Sequence, residues 1–279
     1  MTSPLPDLSP LDLENDPKGC CARLYESDAV RWLLDDQLHP GGERLTRRLA
    51  QLAGVARGRR VVDVACGTGA TALLLTRELD CNVVGVDLGT RAIEQATHAA
   101  RAAGLMGRAS FVLGDAEALP LADSGFDVAL SECSLCTFPD KRRAIAEMVR
   151  VVRPGGTVAI ADVTGEPDAL PAPLRSAAAR VACVADARRA DDYVSLLRNA
   201  GCEPLVVEPH DAELASMADR VDARLRVARM LVAPGAQRDQ VADAAALARL
   251  ATEAIARGTL GYALITARRP GLEPPPRSC

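Results

Sequence analysis

Residues 60–79 narrow the choice of fold more than any other stretch. Val61-Val62-Asp63-Val64-Ala65 is a short apolar run, Cys66-Gly67-Thr68-Gly69 interrupts it with two glycines, and the segment to Leu79 then carries apolar residues at helical spacing. A strand that turns through glycines into a helix opens a doubly wound α/β sheet, because glycine lets the backbone turn sharply and approach a ligand closely. The alternation continues downstream. Arg60–Ala65, Asn82–Val86, Ala109–Leu113, Phe126–Ser131 and Thr157–Ala161 read as strands; Gly67–Leu79, Thr90–Ala103 and Lys141–Val151 read as helices. Short apolar strands alternating with helices require a parallel sheet covered on both faces.

The flanks divide the chain further. Residues 1–17 are acidic and proline-rich and are expected to be a poorly ordered lead. Residues 18–57 read as a helical cap: a helical stretch over 18–38, the turn His39-Pro40-Gly41-Gly42, and a helix from Glu43 to Leu52. Residues 58–210 form the core, with helices over 174–200 before Gly201 and a strand at Leu205–Glu208. Residues 211–257, rich in Ala, Leu and Arg, read as two or three helices broken near Pro234-Gly235. A last strand, Gly261–Ala267, falls within 258–270, and 271–279 is a tail.

Composition excludes several classes of function. A net charge of −4 and 3% aromatic residues weigh against a nucleic-acid surface, which needs basic patches and stacking platforms. No apolar run reaches the roughly 18–20 residues of a membrane span. The N-terminus has neither a basic head nor an apolar stretch, so it does not read as a secretory signal and the expected location is cytoplasmic. Of 33 basic residues only Lys18 and Lys141 are lysine; the bias reads as a property of the coding sequence. Nine cysteines are many for a reducing compartment, where thiols or a metal site are the readings to compare.

The pattern Gly67-x-Gly69-x-x-Ala72 also fits a dinucleotide fingerprint. Asp63 argues against that: a buried acid inside the strand repels a pyrophosphate and suits a ligand with an ammonium group. Asp115, in Gly114-Asp115-Ala116-Glu117, stands where an acid can accept from an adenine amino group. These segments, together with Val84-Gly85-Val86-Asp87, Ala118-Leu119-Pro120, Phe126-Asp127-Val128-Ala129 and Val151-Val152-Arg153-Pro154-Gly155-Gly156, resemble the class I S-adenosylmethionine methyltransferases across residues 45–165. The resemblance implies a Rossmann-like, seven-stranded, mostly parallel sheet with helices on both faces and an antiparallel final strand. The N-terminal helices would be a lid and 211–257 an insertion before that strand. It implies S-adenosylmethionine as cofactor, with Asp63 and the backbone of Ala65, Cys66, Gly67 and Gly69 at the methionine part. Asp87, with Leu88 after it, would take the ribose hydroxyls, and Asp115 and Ala116 the adenine. Glu132 would close the site, Tyr25 would lie in the lid, and His39 would stand before a helix N-terminus able to receive the cofactor carboxylate.

The acceptor end reads Ser131-Glu132-Cys133-Ser134-Leu135-Cys136-Thr137-Phe138. Cys133, Cys183 in a later helix, and Cys20 or Cys21 in the N-terminal helix come from three parts of the chain, and convergent thiolates bind soft, thiophilic elements. The segment from Ser131 to Cys183, with Tyr193 beyond it, resembles the arsenite methyltransferases. That likeness implies Cys133, Cys183 and Cys21 or Cys20 as metalloid ligands, a lone-pair attack on the methyl group, and a thiol reductant as partner. The alternatives are methyl transfer to oxygen, nitrogen or carbon of a small organic metabolite, with cysteines that only pack, and a metalloid sensor without turnover. Cys133-x-x-Cys136 has zinc-like local spacing but no second pair near it. Cys66, Cys81 and Cys202 read as small buried hydrophobes.

Overall fold

The computed structural model describes residues 18–19, 25, 28–34, 38–176, 184, 186–232 and 234–271. In chain order the elements are α1 (Asp28–Leu34), α2 (Gly42–Leu52), β1 (Arg60–Val64), α3 (Ala70–Leu79), β2 (Asn82–Asp87), α4 (Thr90–Ala102), β3 (Ala109–Leu113), β4 (Phe126–Glu132), α5 (Lys141–Val151), β5 (Val152–Gly165), α6 (Ala190–Asn199), β6 (Glu203–Pro209), α7 (Asp211–Leu231), α8 (Ala236–Ala256) and β7 (Leu260–Arg268). The seven strands form one sheet in the order β3-β2-β1-β4-β5-β7-β6. β1 to β5 run parallel, and β7 is antiparallel to both β5 and β6. This is the Rossmann-like sheet that the strand–helix alternation requires, with its last strand inserted in reverse.

Period-2 alternation divides the core into two layers. Val61, Leu130, Ala159 and Tyr262 face Leu45 and Leu49 of α2, Leu75 of α3 and Ala254 of α8. Val62, Ala129, Val158 and Ile265 face Ile145 and Met148 of α5 and Tyr193 and Leu197 of α6. Leu45, Leu49, Leu75, Leu130, Ile145 and Leu197 are all fully buried, and each such side chain contributes roughly 1.5–3 kcal/mol.

Two boundaries differ from the sequence reading for physical reasons. The helix expected from Gly67 begins at Ala70, because Gly67 (φ 52°) and Gly69 (φ 81°) adopt the left-handed conformation and form the loop instead. The fifth strand runs over Val152–Gly165 rather than 157–161, because β7 pairs with it from Thr157↔Arg268 to Gly165↔Leu260. Of the stretch 174–200, the structure shows a short 3₁₀ turn at Ala172–Arg175 and then α6. The lead at 1–17, Cys20, Cys21, Cys183 and residues 272–279 lie outside the described residues.

The expected insertion is the helix pair α7–α8, broken at Val232–Gly235. It has a small core of its own, Leu225, Ala228, Val241 and Ala245, and Trp32 and Leu33 of α1 pack into it. Arg224 stacks 5.4 Å over the Trp32 ring and donates to the Trp32 carbonyl. The pair is anchored to the sheet where Asp211 Oδ1 accepts from Tyr262 N at 2.9 Å and His210 N donates to Tyr262 O at 2.6 Å. Among the described residues no helix is long and apolar enough to cross a membrane.

Candidate active site

The carboxyl ends of β1, β2 and β4 open into one pocket. Its walls include Ala65, Gly67 and Thr68 of the glycine loop, Asp87 and Leu88 after β2, Asp115 and Ala116 after β3, and Glu132, Cys133 and Ser134 after β4. Lys18, Tyr25 and Leu38 close it from the N-terminal side. Most of the residues assigned to the cofactor from the sequence therefore meet in one place, at the switch point where an open α/β sheet binds its ligand.

The loop is built so that backbone, not side chain, faces the ligand. Gly69 stands in the left-handed conformation, and a Cβ there would lie 2.7 Å from the Phe111 ring and 2.9 Å from Ala96 Cβ. Gly69 thus shapes the loop from behind the pocket wall. Cys66 also lies behind it: its thiol is buried, it reaches the Gly67 carbonyl at 3.7 Å, and burial, reinforced by Asp63 and Asp87, pushes its ionisation far upward. The Cys66 N–H donates to Val86 O and ties β1 to β2. Asp87 crosses the gap between the two loops: Oδ2 accepts from Gly67 N and Oδ1 from Gly89 N, both at 2.8 Å.

Asp63 is 2% exposed, and its Oδ2 has no hydrogen-bond partner among the described residues. Burial raises its pKa well above the usual carboxylate range, and the nearby charges of Glu132 and Asp87 push it the same way. A backbone hydrogen bond from Ala72 opposes the shift without cancelling it. Asp63 is not among the residues lining the pocket, but the two acids that act on it, Glu132 and Asp87, are; acids grouped beside an unpaired buried oxygen fit a ligand that brings a cationic group and disfavour a pyrophosphate. The donor set therefore fits a cofactor with ammonium and sulfonium charges.

At the opposite end, Lys18 Nζ bridges Asp115 (2.8 Å) and Glu117 (2.6 Å). Burial pushes the Asp115 carboxyl upward, but Lys18 and the Glu117 N–H outweigh it and hold the carboxyl below its ordinary value. Lys18 carried no weight in the sequence reading, although it is one of only two lysines in the chain. The other, Lys141, is 6% exposed and donates to the carbonyls of Cys136 (3.0 Å) and Phe138 (3.1 Å) and to Asp186. Lys18 thus places a cation in the wall of the pocket, whereas Lys141 stands outside its lining and ties the turn after β4 to Asp186. Thr46 and Thr71, which donate to Glu132, were also missed, and no pattern in the sequence singles them out.

The acceptor end is a tight turn. Cys133 takes φ 51°, unusual for a residue with a side chain, and its N–H donates to Ala161 O at 2.7 Å. Ser131 and Ser134 share a 2.5 Å hydrogen bond, and Cys136 N donates to Asp162 Oδ2 at 3.1 Å. Cys133 lines the pocket, whereas Cys136 is fully buried behind it. His39 stands outside the lining, with Nε2 3.4 Å from Thr46 Oγ1. Among the described residues no group of three or more His, Cys, Asp or Glu could hold a metal ion. Cys20, Cys21 and Cys183, the other expected metalloid ligands, lie outside those residues.

Residues 62–160 match a methyltransferase-domain family. The chain is 32% identical to the 27-O-demethylrifamycin SV methyltransferase of Amycolatopsis mediterranei, over 81% of this chain and 83% of that one. It is 35% identical to the methyltransferase GfsG of Streptomyces halstedii over 61% of this chain, and the match spans 62% of that relative's length. An arsenite methyltransferase of Halobacterium salinarum is 32% identical over 60% of this chain and 43% of its own. Among solved structures, the [4+2]-cyclase SpnF superposes with a TM-score of 0.69 at 25% identity, covering 87% of this chain and 94% of that one.

Proposed function

The chain belongs to the S-adenosylmethionine-dependent methyltransferases, and from that premise we propose that it methylates trivalent arsenic held by thiols at the Cys133 end of the pocket. The observation that carries this reading is the place of Cys133, which lines the same pocket as Asp87, Ala65 and Glu132. A thiolate is a ligand for soft elements, and here it stands within the site that takes the methyl donor.

The bound cofactor supplies an electrophilic methyl group on a positively charged sulfur. In our reading Asp63 and Glu132 receive its ammonium group, Asp87 accepts from the ribose hydroxyls, and Leu88, Ala116 and Asp115 flank the adenine. Tyr25 and Leu38 close the pocket against water, which raises the worth of each polar contact inside it. Cys133 would hold the acceptor in the pocket beside the methyl donor, where proximity would supply much of the acceleration. Trivalent arsenic carries no proton on the attacking atom, so its lone pair needs no general base, and among the described residues no histidine lines the pocket. Cys183 and Cys21 or Cys20 are proposed as the remaining ligands, and a thiol reductant in a reducing cytoplasm as the partner that keeps them competent.

A second reading, transfer to a hydroxyl of a small organic metabolite, is favoured by the relatives. The rifamycin methyltransferase matches over most of both chains, whereas the arsenite methyltransferase matches over less than half of its own length. One experiment separates the two. Release of S-adenosylhomocysteine by the reduced protein is measured with S-adenosylmethionine, arsenite and a thiol, for wild type, Cys133→Ser and Cys183→Ser. Turnover in wild type and its loss in both variants is the expected result. Turnover that persists in Cys133→Ser, or that is found only with hydroxyl acceptors, replaces the metalloid reading with the organic one. Stoichiometric arsenite binding without product marks a sensor.

A further inference from the structure

Glu132 is held by hydroxyl groups from two different helices. Thr71 in the first turn of α3 donates to Glu132 Oε2 at 2.6 Å. Thr46 in α2 lies 3.0 Å from Oε1 and 3.2 Å from Oε2. Behind Thr46, His39 Nε2 stands 3.4 Å from its Oγ1. The other ring nitrogen, Nδ1, lies 3.2 Å from the Pro40 carbonyl oxygen, and Thr46 Oγ1 also lies 3.5 Å from Gly42 O.

This brace meets Asp63. β1 and β4 are in parallel register with Asp63 opposite Leu130, so Glu132, two residues further along β4, is on the same face of the sheet. Asp63 lies deep and has one unpaired oxygen, while Glu132 lines the pocket above it. A glutamate at a strand end loses rotamer freedom when it is fixed, and two hydroxyl donors on one carboxylate offset that cost. They also leave acceptor capacity on Oε1, because each carboxylate oxygen has two lone pairs.

We infer that Thr46 and Thr71 are positioning residues for the cofactor: they hold the Glu132 carboxylate beside Asp63, so that the two acids together receive the ammonium group of the methionine part. The inference does not depend on the identity of the methyl acceptor. It assigns a purpose to Thr46 and Thr71, neither of which the loop motif marks.

Calorimetric titration with two ligands tests it. S-adenosylhomocysteine carries the ammonium group, whereas 5′-deoxy-5′-methylthioadenosine keeps the adenosine and lacks the amino-acid part. In Thr71→Val and Thr46→Val the affinity for S-adenosylhomocysteine falls about tenfold or more, the effect of a lost hydrogen bond to a charged group. Affinity for methylthioadenosine stays at the wild-type value, and Thr71→Ser restores the first ligand. Glu132→Gln keeps the shape of the site without the charge and gives the same split, which covers the case of a valine variant that does not fold. Parallel losses for both ligands, or no loss for S-adenosylhomocysteine, overturn the inference.

Discussion

One oxygen of the Asp63 carboxyl has no partner among the described residues, and burial together with Glu132 and Asp87 pushes its pKa upward. The consequence for stability has a definite sign. The folded chain binds the Asp63 proton more tightly than the unfolded chain, whose value is about 3.9. The stabilisation is therefore fully present below that value and is lost as pH rises through the folded-state value. Without cofactor, Asp63→Asn should be more stable than wild type at neutral pH, by about 1.4 kcal/mol for each pH unit of the elevation. Its melting temperature should decline less than that of wild type between pH 4 and pH 8, while S-adenosylmethionine binding is lost. Superimposed melting curves across that range would remove Asp63 as a strained acid. That Asp63 is a buried, poorly partnered acid was legible in the sequence, because an acid inside an apolar strand is out of place. The helpers of Glu132 were not, since a threonine in a helix reads the same whether it faces solvent or a carboxylate.

The strand–loop–helix unit shows how an element meets two demands at one residue. Gly69 has both a left-handed backbone and a ring 2.7 Å from where a Cβ would stand. Gly54 has a similar φ of 71° with nothing within 4 Å of its missing Cβ. Gly54→Ala should therefore cost only the backbone term, roughly 1–2 kcal/mol. Gly69→Ala should add an overpacking term of about 1–3 kcal/mol and weaken cofactor binding, because the loop must shift. Denaturant unfolding of the pair separates the two terms, and equal losses would show that Phe111 yields without cost. The turn after β4 is the counterpart at the acceptor end. Its cysteines single it out in the sequence, but the bonds to β5 that accompany the positive φ of Cys133, at Ala161 and Asp162, join residues remote in sequence.

On the scale of the molecule, the N-terminal segment and the α7–α8 pair are coupled through Trp32. The same segment carries Lys18 and Tyr25 to the pocket, while Trp32 and Leu33 join the core of the helix pair and Arg224 covers the indole. Trp32→Ala should leave the sheet folded, since its two core layers do not include this residue. It should raise the dissociation rate of S-adenosylhomocysteine roughly tenfold, the effect of about 1.4 kcal/mol. Stopped-flow displacement reads this directly, and an unchanged rate would mean that the cap and the helix pair act independently.

Local pattern determined a great deal here. The apolar runs, their spacing and the glycines specify a parallel sheet with a ligand crevice after β1, because strand alternation and left-handed glycines are properties of neighbouring residues. The placing of Asp87 and Asp115 in one pocket was readable for the same reason: one ends β2 and the other follows β3, strands whose direction the alternation defines. The brace on Glu132, the Lys18 bridge at the Asp115 end of the pocket and the docking of α1 on α7–α8 came only from the tertiary structure. Each joins residues from distant parts of the chain, and which hydroxyl, cation or ring reaches a given carboxylate depends on how the helices pack over the sheet.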